Sequence, residues 1–132
     1  MSDLTKEQIL AASDVQVDRV DVPAWGGSVY VRTMTGKESD RLYQSIIDPK
    51  THKVSIELME GYKARQAVVF LSDAQGNRLF TDDEADAVSG KLHLVLETIC
   101  EAGRRVNKMD EDDVDGLEKN SEPTTSAGGG SD

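Results

Sequence analysis

The chain has 132 residues, enough for one domain with its own core, and 25 acidic against 15 basic side chains give it a formal charge of −10. Such a balance repels nucleic-acid phosphate and argues against a DNA- or RNA-binding role. A single cysteine excludes a disulfide framework, no run reaches the length of a membrane span, and Asp3 and Glu7 stand where a signal peptide would be basic. The expectation is a soluble cytoplasmic protein with no membrane partner.

Thr5-Lys6-Glu7-Gln8 opens a short helix as a capping box, with Ile9 and Leu10 as a small apolar edge for docking. Val15 and Val17 begin an extended region. Their parity is opposite to that of Val20 and Val22, so a bulge near Asp18-Arg19 is expected to keep all four on one face. Val20 and Val22 run into Pro23, while Val29 and Val31 alternate with Tyr30 and Arg32. Between them Pro23-Ala24-Trp25-Gly26-Gly27-Ser28 has proline at its entrance and two glycines suited to positive φ, which predicts a β-hairpin. This hairpin offers one apolar face for the later helices to cover. Trp25 at its tip reads either as a plug on the core, the ordinary use of a lone tryptophan in a small domain, or as an exposed contact residue.

Thr35-Gly36-Lys37-Glu38 repeats the capping box, and Leu42, Tyr43, Ile46 and Ile47 follow at helical spacing until Asp48-Pro49 stops the helix. Pro49–Lys53 is polar and reads as a mobile loop. A second helix is expected from about Ser55, with Leu58, Met59 and Tyr62 on one side. Ala67–Leu71 is a continuous apolar run rich in β-branched residues, which periodicity cannot assign. It is read as a strand that turns through Asp73–Asn77 and returns as Arg78-Leu79-Phe80; a helix to Leu71 is the competing reading. Thr81-Asp82-Asp83-Glu84 is a third capping box and starts a short helix towards Val88. Leu92, Val95, Leu96, Ile99, Cys100 and Val106 then trace an amphipathic helix with His93, Glu97, Glu101, Arg104 and Arg105 outward. Beyond Lys108, Asp110–Asp115 is nearly all acid, with one short helix at most around Val114 and Leu117, and Ser121–Asp132 is a Gly/Ser/Thr-rich tail expected to be disordered. The fold class is α+β: a small antiparallel sheet built from β-hairpins packed against several α-helices, as one domain over residues 1–120 with a flexible tail over 121–132.

Catalytic chemistry is hard to find. In a twelve-residue calcium loop Asp73, Gln75, Asn77, Leu79 (through its carbonyl), Thr81 and Glu84 would take the ligand positions. Arg78 stands where that loop needs glycine, and Gln75 replaces a carboxylate, so a turn followed by a capped helix explains the residues better. His52 and His93 lack ligand spacing for zinc, and His93 reads as a surface residue. Cys100 lies on an apolar stripe and reads as a core residue. No serine stands in a nucleophile elbow, and Gly36-Lys37 lacks the rest of a phosphate loop. Neither an enzyme nor a cofactor or metal is expected.

The run Val22-Pro23-Ala24-Trp25-Gly26-Gly27-Ser28-Val29-Tyr30-Val31-Arg32, then Thr35-Gly36-Lys37-Glu38, then Asp73 with Gly76-Asn77-Arg78-Leu79-Phe80-Thr81-Asp82, resembles the tail assembly chaperones of long-tailed siphophages and their prophages. The order of elements is also similar, over about Leu4 to Asn120. That resemblance implies a small protein of the host bacterial cytoplasm, absent from the mature virion, that coats the tape measure protein and keeps it soluble until tail tube subunits polymerise around it. It also implies a longer, frameshift-extended form that recruits the tail tube protein, for which the Gly128-Gly129-Gly130 tail would suit the junction. Under this reading Trp25, Tyr30 and Met34 on the hairpin, with Leu58, Met59 and Tyr62, are the candidate partner-binding residues, and the edge strands of so small a sheet invite self-association. The high negative charge keeps such a surface soluble. The two other classes weighed are a calcium-binding EF-hand-like module and a structural tail completion protein.

Overall fold

A computed structural model describes residues 2–109. The acidic stretch Asp110–Asp115, the short helix around Val114 and Leu117 and the tail 121–132 lie outside the described residues. Within them the chain is α+β, with five α-helices and a three-stranded antiparallel sheet.

Helix α1 (Lys6–Ala11) starts at the expected capping box, in which Thr5 Oγ1 accepts the Gln8 N–H at 3.2 Å and Gln8 Oε1 accepts the Thr5 N–H at 2.9 Å. Ile9 and Leu10 nevertheless stay exposed, as does every residue of α1. Strands β1 (Val17–Val22) and β2 (Gly27–Arg32) form the hairpin, in an unbroken register from Val17 opposite Arg32 to Val22 opposite Gly27. The bulge expected near Asp18-Arg19 is absent. Val20 and Val22 enter the core, whereas Val15 and Val17 lie over the turn at Gly76 instead. The parity mismatch is resolved by using both sheet faces rather than by bending the strand. Pro23–Trp25 make a 3-10 turn, closed by Gly26 at φ 75°, whose N–H donates to the Pro23 carbonyl at 3.0 Å. Only the first of the two glycines takes positive φ.

Helix α2 (Gly36–Gln44) has the second capping box, between Thr35 and Glu38, and buries Leu42. It ends four residues before Asp48, and Ile47 then bridges Val54. The stretch read as a mobile loop is a hydrogen-bonded turn: Asp48 Oδ1 accepts the Lys50 N–H at 2.7 Å, and the Asp48 N–H donates to the Lys53 carbonyl at 2.8 Å. No helix begins at Ser55. Glu57–Met59 form a 3-10 turn, and the chain is broken at Gly61, φ 78°, before α3 (Tyr62–Phe70) begins.

That helix corrects the strand reading of Ala67–Phe70, and the competing assignment is the right one. Ala64 and Gln66–Phe70 are all buried, between the sheet on one side and α4 (Ala85–Val88) and α5 (His93–Val106) on the others. A helix covered all round shows no polar face, so its apolar residues run together and β-branched content misleads. Only Leu71–Ser72 form strand β3, pairing with Val31 and Tyr30, and Ser72 bridges Arg78 on the return. Thr81 and Glu84 close the third capping box ahead of α4. In α5 Val95, Leu96, Ile99 and Cys100 join the core as expected, while Leu92 precedes the helix and stays exposed. The core therefore lies between the inner sheet face (Val20, Val22, Val31, Leu71) and the two helices α3 and α5.

Candidate functional site

The six residues expected to contact a partner do not form one surface. Trp25 is 40% exposed at the hairpin tip and lies outside the core cluster, so it is not the plug on the core that was expected. The turn Pro23–Trp25 carries it past the last inward valine, Val22. Tyr30 is half-buried on the outer sheet face, between Arg19 and Ser72 on the flanking strands. Met34 packs against the core, and its N–H donates to Asn107 Oδ1 at 2.8 Å. Tyr62 is half-buried at the start of α3, with the Arg65 guanidinium 5.6 Å from its ring centre. Burial pushes its phenol above the ordinary value, against the hydrogen bond with Gln66.

Leu58 and Met59 stay exposed, and so do other apolar residues that the sequence reading did not name as contacts. Ile56 is 86% exposed and Val54 and Tyr43 are also largely solvent-facing. The stretch Val54–Met59 is thus an arm that presents several apolar side chains in succession, an arrangement that marks contact surfaces more often than isolated exposed residues do. Its anchor is Arg65. The guanidinium donates to the Leu58 carbonyl at 2.6 Å, the Glu60 carbonyl at 2.9 Å and Ser45 Oγ at 3.1 Å. One side chain of α3 therefore ties the C-terminal end of the arm to the end of α2, where Ser45 is the C-cap. Arginine suits the task because its fixed fork of donors can satisfy several acceptors at once. Between this arm and the Asp82–Ser89 segment runs a groove of about 740 Å³, edged by Glu57, Glu60, Asp83 and Asp86 and by Leu58 and Ala85.

The residues in calcium-loop register have other employment. Asp73 Oδ1 accepts the N–H groups of Gln75 and Asn77, each at 2.9 Å, and Asn77 Nδ2 donates to Asp73 Oδ2 at 3.3 Å. These bonds, led by the one from the Asn77 N–H, hold the Asp73 carboxyl below its ordinary value. Gly76 takes φ 87° at the tip, and Leu79 is exposed. Thr81 and Glu84 are turned to each other in the capping box. The Asp73 and Asn77 side chains are thus engaged in a turn and those of Thr81 and Glu84 in a helix cap, and among the described residues no group of three or more His, Cys, Asp or Glu stands together as a metal site.

Arg78, the residue that spoils the calcium pattern, ties the fold together. It donates to the Val68 carbonyl at 2.9 Å and to Asp82 Oδ1 at 2.8 Å, and lies 3.7 Å from Glu38. Glu38 pairs with the buried Arg32, and Asp82 with Arg41 at 3.2 Å. Alternating charges thus join β2, α2, α3 and the segment before α4. Burial raises the Glu38 carboxyl, but the Thr35 N–H, Arg32 and Arg78 together pull it below its ordinary value. Burial also pushes the Cys100 thiol up to about 11, as befits a core residue rather than a nucleophile.

A search of solved structures finds the tail assembly chaperone of bacteriophage HK97, with a TM-score of 0.54 and 17% identity over 76% of this chain and 96% of that one. At that identity the likeness establishes a shared fold. No family model matches the chain. No curated protein matches its sequence.

Proposed function

We propose that this protein is a tail assembly chaperone of a long-tailed phage or prophage, which binds the tape measure protein and keeps it soluble during tail assembly. The observation that carries this reading is the fold shared with the HK97 chaperone across nearly all of that protein. The arm Val54–Met59 supports it on physical grounds. A client that is long, helical and apolar needs exposed apolar contact area, and Ile56, Leu58 and Met59 offer it without being part of the core. The flanking carboxylates and the charge of −10 keep such a surface from aggregating in the absence of client. Methionine adapts to varied partners, which suits a client with many similar segments. Trp25 extends the contact set on the hairpin, whereas Met34 serves packing and leaves it.

In this reading the protein is a holder with no reaction of its own. It works in the host cytoplasm and is absent from the finished virion, and a frameshift-extended form engages the tail tube protein. Co-expression with the tape measure reading frame of the same genome tests the central claim. Wild type is expected to keep the tape measure protein in the soluble fraction and to co-purify with it. Ile56→Asp with Met59→Asp is expected to lose both while retaining the wild-type circular dichroism spectrum. Undiminished co-purification by that folded variant refutes the assignment of the arm. A tape measure protein equally soluble without any chaperone refutes the function itself.

A further inference from the structure

The groove between the arm and the Asp82–Ser89 segment has a charge pattern of its own. Five carboxylates, those of Glu57, Glu60, Asp82, Asp83 and Asp86, line it against one guanidinium, that of Arg65. Asp82 is paired within the chain, to Arg41 at 3.2 Å and to Arg78 at 2.8 Å. Among the described residues the other four carboxylates make no ion pair, and all four are exposed. They stand as two pairs, Glu57 with Glu60 on one bank and Asp83 with Asp86 on the other. Each pair is three residues apart on a helical turn, a spacing that sets both side chains on one side. Leu58 and Ala85 add apolar contact, and Ile56 and Met59 flank Leu58 on the arm. At about 740 Å³ the groove has the size of a ligand site, and a cleft lined by one sign of charge focuses its potential.

We propose, on the reading of the arm as client surface, that this groove selects a cationic amphipathic helix of the client, with Lys or Arg at one-turn spacing on both flanks of an apolar seam. In a helix, side chains three or four residues apart are neighbours, so basic residues at that interval match the interval of the carboxylates on each bank. The apolar seam then meets Leu58 and Ala85, with Ile56 and Met59 beside them, which is the helix-in-groove mode of recognition. Lysine and arginine suit the flanks for a second reason. Their aliphatic stems can lie along Leu58 and Ala85 while the charged heads reach the banks. The Arg65 charge does not cancel the field, because one guanidinium faces five carboxylates and its donors are spent on the Leu58 and Glu60 carbonyls and on Ser45 Oγ. The chain's own residues 110–132 are unsuited to the groove, since they carry eight acidic side chains and one lysine. The carboxylates beside the arm therefore do more than keep it soluble: they choose which helical segments it holds.

Calorimetric titration of the full-length chain with three synthetic helical peptides tests the selection. The peptides share one leucine seam and are flanked by lysine, glutamine or glutamate. Wild type is expected to bind the lysine peptide about tenfold more tightly than the glutamine peptide at low salt, because each rim pair contributes little but four act together. That preference should shrink as salt rises, and the glutamate peptide should bind weakest. Glu57→Gln, Glu60→Gln, Asp83→Asn and Asp86→Asn combined should abolish the preference while leaving the glutamine peptide's affinity and the circular dichroism spectrum unchanged. The control D3N/E7Q/D14N/D18N removes as many charges from exposed positions elsewhere and should keep the preference. A wild type that binds the lysine and glutamine peptides equally overturns the proposal. So does an equal loss in the control, which assigns the attraction to net charge. Sedimentation in which the four groove substitutions alone alter association of the chain gives the groove to a second copy and overturns it too. Failure here with the tape measure protein still held soluble in co-expression leaves the proposed function standing. A lysine preference in a protein indifferent to the tape measure protein keeps the groove and removes that function.

Discussion

Gly103 in α5 faces the ring of Phe70, which has no exposed surface. A Cβ at this position would stand within 2.6 Å of three ring carbons, whereas carbon atoms in contact rest about 3.5–4.0 Å apart. Ring or helix would have to shift by roughly 1 Å inside a close-packed core. In Gly103→Ala the better helix propensity of alanine returns about 1 kcal/mol. Overpacking costs about 1–3 kcal/mol, and an overlap with three atoms of a fixed ring belongs at or above the top of that range. The net expectation is a loss of about 2 kcal/mol, or roughly 10 °C in thermal midpoint for a domain of this size. Urea denaturation followed by circular dichroism should show a lower midpoint with an unchanged slope. Pairing the change with Phe70→Leu should cost less than the sum of the two single changes, because the second removes what the first strikes. A Gly103→Ala protein as stable as wild type would refute so close an approach of α3 and α5.

Three further outcomes follow from named contacts. Gly76→Ala meets both a φ of 87° and Val15 Cγ1 at 2.6 Å, so it should cost about 1–2 kcal/mol; full rescue by Val15→Ala would show that the backbone share is absent. The Glu38 carboxyl titrates lower when folded than when unfolded, so its contribution is present above the ordinary carboxylate value of about 4.3 and is lost as pH falls through the folded pKa. Glu38→Gln should therefore flatten the fall in stability on acidification below about pH 4.3, and urea melts with the same acid dependence as wild type would contradict this. Cys100 is buried with its thiol pushed up to about 11, so Ellman's reagent should react only as fast as the protein opens and readily in urea. Native-state reaction at the speed of a free thiol would place the side chain elsewhere.

Local signals written in side-chain chemistry read directly from the chain. Thr5, Thr35 and Thr81, each with Gln or Glu three residues on, start helical turns where expected, since a capping box is complete within four residues. The hairpin around Pro23 and Gly26 is of the same kind, and so is the amphipathic face of α5, whose polar side stays in water. Elements whose surroundings are supplied by distant residues were not legible. Ala67–Phe70 carries β-branched residues in an unbroken apolar run, and only enclosure by sheet and helices decides that it is helical. Leu58, Met59 and Tyr62 look like one helix face until Gly61 breaks the chain and Arg65 anchors the arm from α3.

The amino-acid sequence by itself determined the class of fold, the caps, the hairpin and the acidity, because each depends on neighbours in the chain. Tertiary structure alone decided which apolar residues are spare. Met34 and Tyr62 are drawn towards the interior while Ile56 is left in solvent, and Val15 and Val17 are sent to the outer sheet face. Hydrophobicity states only that a side chain gains by leaving water; where space exists to receive it is set by residues far away in sequence.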